Sequence, residues 1–333
     1  MTPTKSLATS LKEKKILVTG GAGFIGSHLV DTLLKHGKHV CVIDNFSSGQ
    51  LANLETARDY TNFSLFKGNV LNKSDISSAL EGCEVVFHLA ANPEVKSGAT
   101  LTETHFQQNV VATFQLLEAM RETESVKGMV FTSSSTVYGD AEVRPTSEQY
   151  APLKPVSLYG AAKLASEALI SSYAHTYGFN ASICRLANII GSRAQRGVIP
   201  DFIQKLRRNP RSLEILGDGT QTKSYLHVDD CVACLILSYA LTRDRVEIIN
   251  VGSEDQISVM EIAKIVTEVM NLTNVDFHCT GGVDGGRGWK GDVKQMLLDI
   301  GRLKGLGWYP RKTSAHAVRA AAEALFAHVL ESR

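Results

Sequence analysis

The 333-residue sequence predicts an α/β fold: a doubly wound parallel sheet with a smaller C-terminal α/β domain. Three observations carry this. Short β-branched apolar runs alternate with amphipathic helical stretches through the first half, the pattern of a parallel sheet with helices on both faces. The first run leads directly into a glycine-rich turn and a helical stretch. After residue 186 the alternation gives way to helical stretches mixed with short strands and glycine-rich loops.

In chain order, "KILVTG" is a β-branched run that reads as the first strand. "GAGFIGSHLVDTLLKHG" is helical and stops at Gly37. "HVCVIDN" and "FSLFKGNV" predict the second and third strands, and "SDISSALEG" a helix. "EVVFHLAA" predicts a fourth strand. "ETHFQQNVVATFQLLEAMRET" sets Phe106, Val110, Phe114 and Leu117 at helical spacing. "KGMVFTSS" is a fifth strand, "VSLYGAAKLASEALISSYAHTYG" a long helix, and "NASICRLANIIG" a single sixth strand. The expected organisation is a first domain over 1–185, with a return strand near 246–252, and a second domain mainly over 186–333. Within the latter, "VIPDFIQKLRRN", "SVMEIAKIVTEVM" and "TSAHAVRAAAEALFAHVLES" are helical.

Composition narrows the function classes. Lys and Arg number 35 against 34 Asp and Glu, a net charge of +1 with no basic stripe. Nucleic acid and anionic membrane are therefore not the expected partners. No apolar run approaches the roughly 20 residues of a membrane helix, and the polar "MTPTKSLATSLKEKK" reads as a frayed leader, not a secretory signal. The six cysteines mostly lie in apolar segments, as buried thiols of a reducing cytoplasm would. Cys231 and Cys234 form a C-x-x-C in a helix-like stretch without a second pair, so no metal site is expected.

The first chemical signal is "TGGAGFIG". Gly20, Gly23 and Gly26 fit G-x-x-G-x-x-G between a strand and a helix, the context that distinguishes a dinucleotide loop from an ordinary glycine turn. Such glycines let backbone N–H groups and the helix N-terminus approach a pyrophosphate. Asp44 ends the second strand 18 residues after Gly26, near the roughly 20 expected of the acid on the ribose diol. A carboxylate there repels a 2′-phosphate, and no Arg or Lys follows at once, so a Rossmann-type domain binding NAD is expected over NADP.

The second signal is "YGAAK", which sets Tyr159 and Lys163 one helical turn apart. By itself such a pair could be a partly buried helix face. Its position after the fifth strand, whose end carries the hydroxyl run Thr132–Thr136, makes it chemical, because ligands of open α/β sheets sit at the carboxyl ends of strands. A Tyr hydroxyl is a poor base at neutral pH. A nearby ammonium and the positive nicotinamide of NAD⁺ stabilise the phenolate, which can then take a proton from a carbinol as hydride leaves.

Together these residues resemble the extended short-chain dehydrogenase/reductase group, the NAD-dependent sugar epimerase/dehydratase family. The likeness spans nearly the whole chain through "TGGAGFIGSHLV", "VIDNFSSG", "FHLAANPEV", "QQNVVAT", "SSSTVYGD", "YGAAK", "RLANIIG", "GDGTQTKSYLHVDD" and "LDIGRLKGLGW". It implies Ser134 as the catalytic hydroxyl, 25 residues before Tyr159, with Lys163 completing the set. For the cofactor it implies Gly20, Gly23, Phe24, Ile25, Gly26, Asp44, Asn45, Ser48, Gly49, Asn69, Val70, Leu89, Ala90, Ala91 and Asn109, besides Tyr159 and Lys163. For a nucleotide-sugar substrate it implies Ser134, Asn188, Val198, Lys223, Arg287 and Asp292.

The hydroxyl run looks most like that of the UDP-glucose 4-epimerase members. Dehydratase members carry an Asp-Glu pair after the catalytic hydroxyl, and the UDP-glucuronate decarboxylase type a Glu in the second place. Here the two places hold Ser135 and Thr136, which cannot supply a carboxylate's chemistry. The resemblance therefore implies inversion at C4 of a UDP-hexose through a 4-keto intermediate. The alternatives are a UDP-glucuronate 4-epimerase, a dehydratase or decarboxylase of the same family and, more distantly, a non-catalytic NAD-binding sensor. It also implies a homodimer, paired through helices near 103–122 and 157–177. Three departures bear on the substrate and cofactor. Asn69 stands where many relatives have Asp, Lys223 where many have Arg, and Trp289 where the common epimerase pattern has a phosphate-binding Arg, a role open to Arg287.

Overall fold

The computed structural model describes residues 11, 15–95, 100–240, 242 and 244–331. Most of the polar leader read over residues 1–15 therefore lies outside the described residues. Leu11, within that leader, is buried, and its carbonyl accepts a hydrogen bond from Lys38 Nζ.

Six strands follow one another through the first half: β1 (Lys15–Thr19), β2 (His39–Asp44), β3 (Phe63–Lys67), β4 (Val85–His88), β5 (Gly128–Ser134) and β6 (Asn180–Leu186). With the later strand Val246–Val251 they form a seven-stranded sheet. The return strand expected near 246–252 takes the edge beside β6, while β3 takes the other edge. The pairs β1–β2, β2–β3, β1–β4 and β4–β5 are all parallel. The chain runs outward from β1 through β2 to β3 and then crosses back to β4, so the order reverses beside β1. That reversal is where an open α/β sheet leaves a crevice at its strand ends.

Helices Phe24–Lys35, Lys73–Leu80, Ala112–Arg121 and Leu158–Tyr177 connect these strands. The single helix expected around Phe106 is interrupted. A short turn, Thr102–His105, passes through a π-helical stretch, Phe106–Val111, into helix Ala112–Arg121. The wider winding resets the helical face. Leu117 stays in the core, whereas Phe106 and Phe114 are exposed. One core packs Leu17, Ile43 and Phe131 of the strands against Ile76, Leu116 and Ile170 of the helices.

The chain forms two compact units. The first comprises 1–137, 158–185 and 232–249; the second comprises 138–157, 186–231 and 250–333. The chain passes from the first unit to the second after residue 185, and two further segments cross between the units. Segment 138–157 joins the second unit, where Tyr138 Oη donates to Asn250 Oδ1 at 2.7 Å and Thr146 N donates to Leu297 O at 2.9 Å. Residues 232–240 of helix Val228–Ala240 join the first, where Ser182 Oγ donates to Ser238 O at 3.0 Å.

The expected sixth strand is also two strands. β6 ends at Leu186, and β7 (Asn188–Ile190) leaves the large sheet to pair in parallel with Tyr225–His227 in the second unit. That unit has its own core, in which Phe202, Ile203 and Leu206 of helix Val198–Arg208 meet Ile262 and Val266 of helix Val259–Val269 and Ala317 and Ala321 of helix Ser314–Glu331.

Candidate active site

The glycine loop connects β1 to helix Phe24–Lys35. Gly20 has a positive φ of 69°, and a Cβ there would sit 2.8 Å from Ala90 N, so only glycine fits beside the β4 end. A Cβ on Gly26 would sit 2.2 Å from Gly20 O, which is why the helix can pack directly on the loop. Gly23 is the N-cap, and no side chain caps the helix or places an acid in its first turn. The positive end of a twelve-residue helix thus faces the loop without a side-chain acceptor. This cradle fits a pyrophosphate.

Asp44 is buried at the end of β2. Its Oδ2 accepts Ala22 N at 2.9 Å and its Oδ1 accepts Phe46 N at 2.8 Å. Burial pushes its pKa up, and those two backbone bonds pull it back. A carboxylate has about four acceptor positions, so the two in use leave capacity for a ribose diol. Gly49 packs against this acid: a Cβ there would lie 3.0 Å from Asp44 Oδ1. Asn45 accepts Ser47 N at 3.0 Å in the same loop, next to Ser48, and Phe24 and Ile25 open the helix. On the next strand end Asn69 Oδ1 accepts Leu71 N at 3.0 Å, and Val70 packs on the core. The amide oxygen expected beside adenine therefore already holds its own turn.

The β4 end is fastened by a buried polar network that no motif in the sequence signals. Thr19 Oγ1 accepts the N–H groups of Leu89 and Ala90 at 3.2 and 3.1 Å and lies 2.8 Å from His88 Nδ1. His88 Nε2 lies 3.1 Å from Thr113 Oγ1. Burial, and then the charge of Lys163, lowers the His88 pKa to about 3, so the imidazole is neutral. Asn109 is buried and holds the segment after Ala91: its Oδ1 accepts Asn92 N at 2.7 Å, and its Nδ2 donates to Asn92 O at 3.3 Å.

Ser134 ends β5, and Tyr159 and Lys163 lie in the first turns of helix Leu158–Tyr177. The structure brings all three together. Tyr159 is hydrogen-bonded to Ser134, whose Oγ also accepts Thr136 N at 3.2 Å and Thr136 Oγ1 at 3.0 Å. Burial pushes Tyr159 up to about 12, and the Ser134 bond pulls it down. Lys163 is buried, donates from Nζ to Thr132 O at 2.8 Å, and lies 5.8 Å from the Tyr159 ring centroid. Burial lowers its pKa to about 7, and the carboxylate of Glu167 raises it. Ser135 and Thr136, where an eliminating enzyme needs acids, begin the 3₁₀ turn Ser135–Tyr138. The Thr136 hydroxyl is committed to Ser134.

In the second unit Lys223, Arg287 and Asp292 belong to a charged cluster. Lys223 Nζ bonds Asp292 Oδ1 at 2.6 Å, and Gly288 N donates to Asp292 Oδ2 at 3.2 Å. Asp292 is 3% exposed and Lys223 17%, so the two form an ion pair at a buried edge. Trp289 lies near Lys223, 5.6 Å from Nζ to the ring, with its Nε1 buried and unbonded. Arg287, the candidate for the phosphate role, is already engaged within the cluster. It forms a bidentate pair with Asp140, both bonds 2.9 Å, and donates to Asp292 O at 2.5 Å. Asn188 Nδ2 donates to Ser224 O at 3.3 Å, and Val198 begins helix Val198–Arg208. Among the described residues no group of three or more His, Cys, Asp or Glu is arranged to hold a metal. No helix of these residues is long and apolar enough to cross a membrane.

Comparison with known proteins gives the lineage. The model of the NAD dependent epimerase/dehydratase family matches residues 16–252. The chain belongs to that family. A solved UDP-galactose 4-epimerase is 43% identical, superposes with a TM-score of 0.83, and is covered over 99% of its length by 95% of this chain. The UDP-glucose 4-epimerase of Mycolicibacterium smegmatis is 33% identical over 91% of this chain and 96% of its own. The UDP-glucuronic acid 4-epimerase of Bacillus cereus, solved with UDP-glucuronic acid and NAD, is 29% identical with a TM-score of 0.83, over 94% of this chain and 99% of that one. The family is one of NAD-dependent nucleotide-sugar epimerases and dehydratases, and the glycine cradle and Asp44 fit NAD as the cofactor.

Proposed function

We propose that this epimerase/dehydratase family member is a nucleotide-sugar 4-epimerase of the UDP-glucose/UDP-galactose type. The observation that carries the reading is the Ser134–Tyr159 hydrogen bond beside buried Lys163, with no acid at Ser135 or Thr136. The set fits proton removal at a carbinol and lacks the carboxylates of an elimination.

In this reading Tyr159 takes the proton of the sugar 4-hydroxyl, and Ser134 Oγ holds that oxygen and passes the proton. NAD, held by the glycine cradle and Asp44, would supply the hydride acceptor and donor needed to invert C4 with no net redox change. Tyr159 by itself keeps its proton at neutral pH, so the Lys163 ammonium is the protein's contribution to stabilising the phenolate. Gly20, Gly23 and Gly26 hold the pyrophosphate and Asp44 the adenosine ribose. Lys223 and Asn188 bind the substrate diphosphate, and Asp292 its ribose.

The 43% identity to the UDP-galactose 4-epimerase favours the glucose series. The Bacillus cereus enzyme supports UDP-glucuronate as the second candidate. The reading includes a homodimer and a cytoplasmic location. For the dimer, the support is Phe106 and Phe114, exposed along the helical stretch that precedes β5.

The test is a proton NMR time course of purified protein with NAD⁺ and no reductant, supplied separately with UDP-glucose, UDP-N-acetylglucosamine and UDP-glucuronate. A new axial-4-hydroxyl anomeric signal, absent in Tyr159→Phe, is expected with UDP-glucose. A 4-keto-6-deoxy product, or a pentose with carbon dioxide, would replace the epimerase reading with an eliminating or decarboxylating one.

A further inference from the structure

Lys163 does not stand alone in the core of the first unit. One turn further along its helix, Glu167 is buried and carries three bonds from Arg185: Nε to Oε1 at 3.1 Å, Nε to Oε2 at 3.2 Å, and Nη2 to Oε2 at 2.7 Å. The two side chains are 5% and 3% exposed. Ser133 Oγ donates to Glu167 Oε1 as well. Tyr159, Lys163 and Glu167 recur every fourth residue and share one face of helix Leu158–Tyr177. Ser133 lies between Thr132, whose carbonyl accepts from Lys163 Nζ, and Ser134, which is hydrogen-bonded to Tyr159.

A buried ion pair is a weak source of stability, because desolvation of the two charges opposes their attraction. A pair placed only for stability has no need to adjoin the reacting groups. This one touches the strand end that bears the catalytic hydroxyl and lies next to the lysine that must remain charged.

We propose that Glu167 is a positioning residue of the active site: held by Arg185 and Ser133, its carboxylate keeps Lys163 in the ammonium form and fixes the β5 end that carries Ser134. The proposal rests on the reading of Ser134, Tyr159 and Lys163 given above.

The surroundings of Lys163 show why it needs such a partner. β5 offers it the Thr132 carbonyl and the Phe131 ring, whose centroid lies 4.7 Å from Nζ. β4 places His88 nearby, neutral and therefore no counter-charge. β6 presents Arg185, a second cation. On its own helix are Tyr159, which is uncharged until it gives up its proton, and Glu167. The neighbouring helical stretch contributes His105 against the Tyr159 ring, with centroids 6.2 Å apart, and the Asn109 carbonyl, which accepts Ser166 Oγ at 3.0 Å. Among these groups Glu167 is the negative charge. Burial alone favours a neutral lysine, and the carboxylate opposes that.

The test compares NAD-loaded wild type, Glu167→Gln and the double variant Glu167→Gln/Arg185→Gln, using the nucleotide sugar turned over in the NMR panel. Glu167→Gln leaves Arg185 without its carboxylate and could unfold. The double variant removes both charges and leaves an amide pair of similar size. The sign is fixed by the lysine: without the carboxylate, Lys163 loses its proton at lower pH. The alkaline limb of the kcat profile should therefore move down by about one pH unit in Glu167→Gln, a roughly tenfold loss of rate above the limb, and by less in the double variant, which also loses the Arg185 cation, with KM and bound NAD unchanged in both. Glu167→Asp, which keeps the charge, should return the limb towards the wild-type position.

A double variant whose pH profile superposes on that of the wild type would overturn the proposal and leave Glu167 a purely structural partner of Arg185. A loss of kcat equal at every pH would overturn it too. Tyr159→Phe and Lys163→Met separate this from failure of the underlying reading. If both turn over normally, the site itself is misassigned and the role of Glu167 falls with it. If both are inactive while the double variant keeps the wild-type profile, only the Glu167 proposal fails.

Discussion

At the scale of single residues, the chemistry depends on burial acting against hydrogen bonds and charge. Tyr159 is held protonated by burial and drawn towards ionisation by Ser134. Tyr159→Phe removes the hydroxyl and keeps the ring, so kcat is expected to fall by about 10²–10⁴-fold with the amount of NAD bound per chain unchanged, read by NMR turnover and by absorbance of the released cofactor. His88 gives a prediction about stability. Its folded pKa of about 3 lies below the ordinary 6.5, so between those values the unfolded chain binds a proton that the native protein refuses. Stability should therefore be lost as pH falls from about 6.5 towards 3, with a slope of at most ~1.4 kcal/mol per pH unit from this group. Melting curves over that window for wild type and His88→Asn check it: the variant should lose less stability on acidification, and an identical pH dependence would count against the buried neutral imidazole. At this scale Tyr159, Lys163 and Asp44 stood out in the sequence because their spacing to a strand or helix end is a local property, and Ser134 stood out through the family resemblance. The commitment of Arg287 did not. Its partner Asp140 is 147 residues away, and only that contact shows that the guanidinium is committed.

At the scale of elements, the cofactor cradle is one strand, one turn and one helix, and close contact between them is its main requirement. Gly26→Ala places a methyl where the nearest atom is Gly20 O at 2.2 Å, a backbone atom that cannot swing aside. The helix must move off the loop, at a cost of about 1–3 kcal/mol. The expected result is a protein with a lower Tm that retains little NAD after purification, both measurable on one preparation. A variant with full NAD content would show that the helix start is not the pyrophosphate site. The element scale also shows where periodicity misleads. The π-helical turn Phe106–Val111 inserts an extra residue per turn, so Phe106 and Phe114 no longer share the buried face with Leu117. "NASICRLANIIG" reads as one strand because its apolar character is continuous, yet β6 and β7 divide after Leu186 and pair in different sheets. Hydrophobic pattern predicts that a segment is a buried strand, not which partner it finds.

For the whole molecule, the proposed reading gives the two units different tasks, and these can be separated by experiment. Lys223 belongs to the second unit and is paired with Asp292, whereas the glycine cradle belongs to the first. Lys223→Met should raise KM for the nucleotide sugar by tenfold or more while leaving bound NAD unchanged. Loss of NAD with no change in KM would reverse the assignment. The sequence by itself determined the α/β class, the nucleotide loop, the acid at the end of β2 and the Tyr159–Lys163 pair, since each depends on periodicity or on spacing within one element. Tertiary structure alone decided the assignment of 138–157 to the second unit, the network from Thr19 through His88 to Asn109, the pairing of Arg287 with Asp140, and the Ser133–Glu167–Arg185 cluster beneath Lys163. The physical reason is common to all four. They are contacts between side chains or segments far apart in the chain, and a buried charge or polar group finds its partner by packing, which leaves no mark on local spacing.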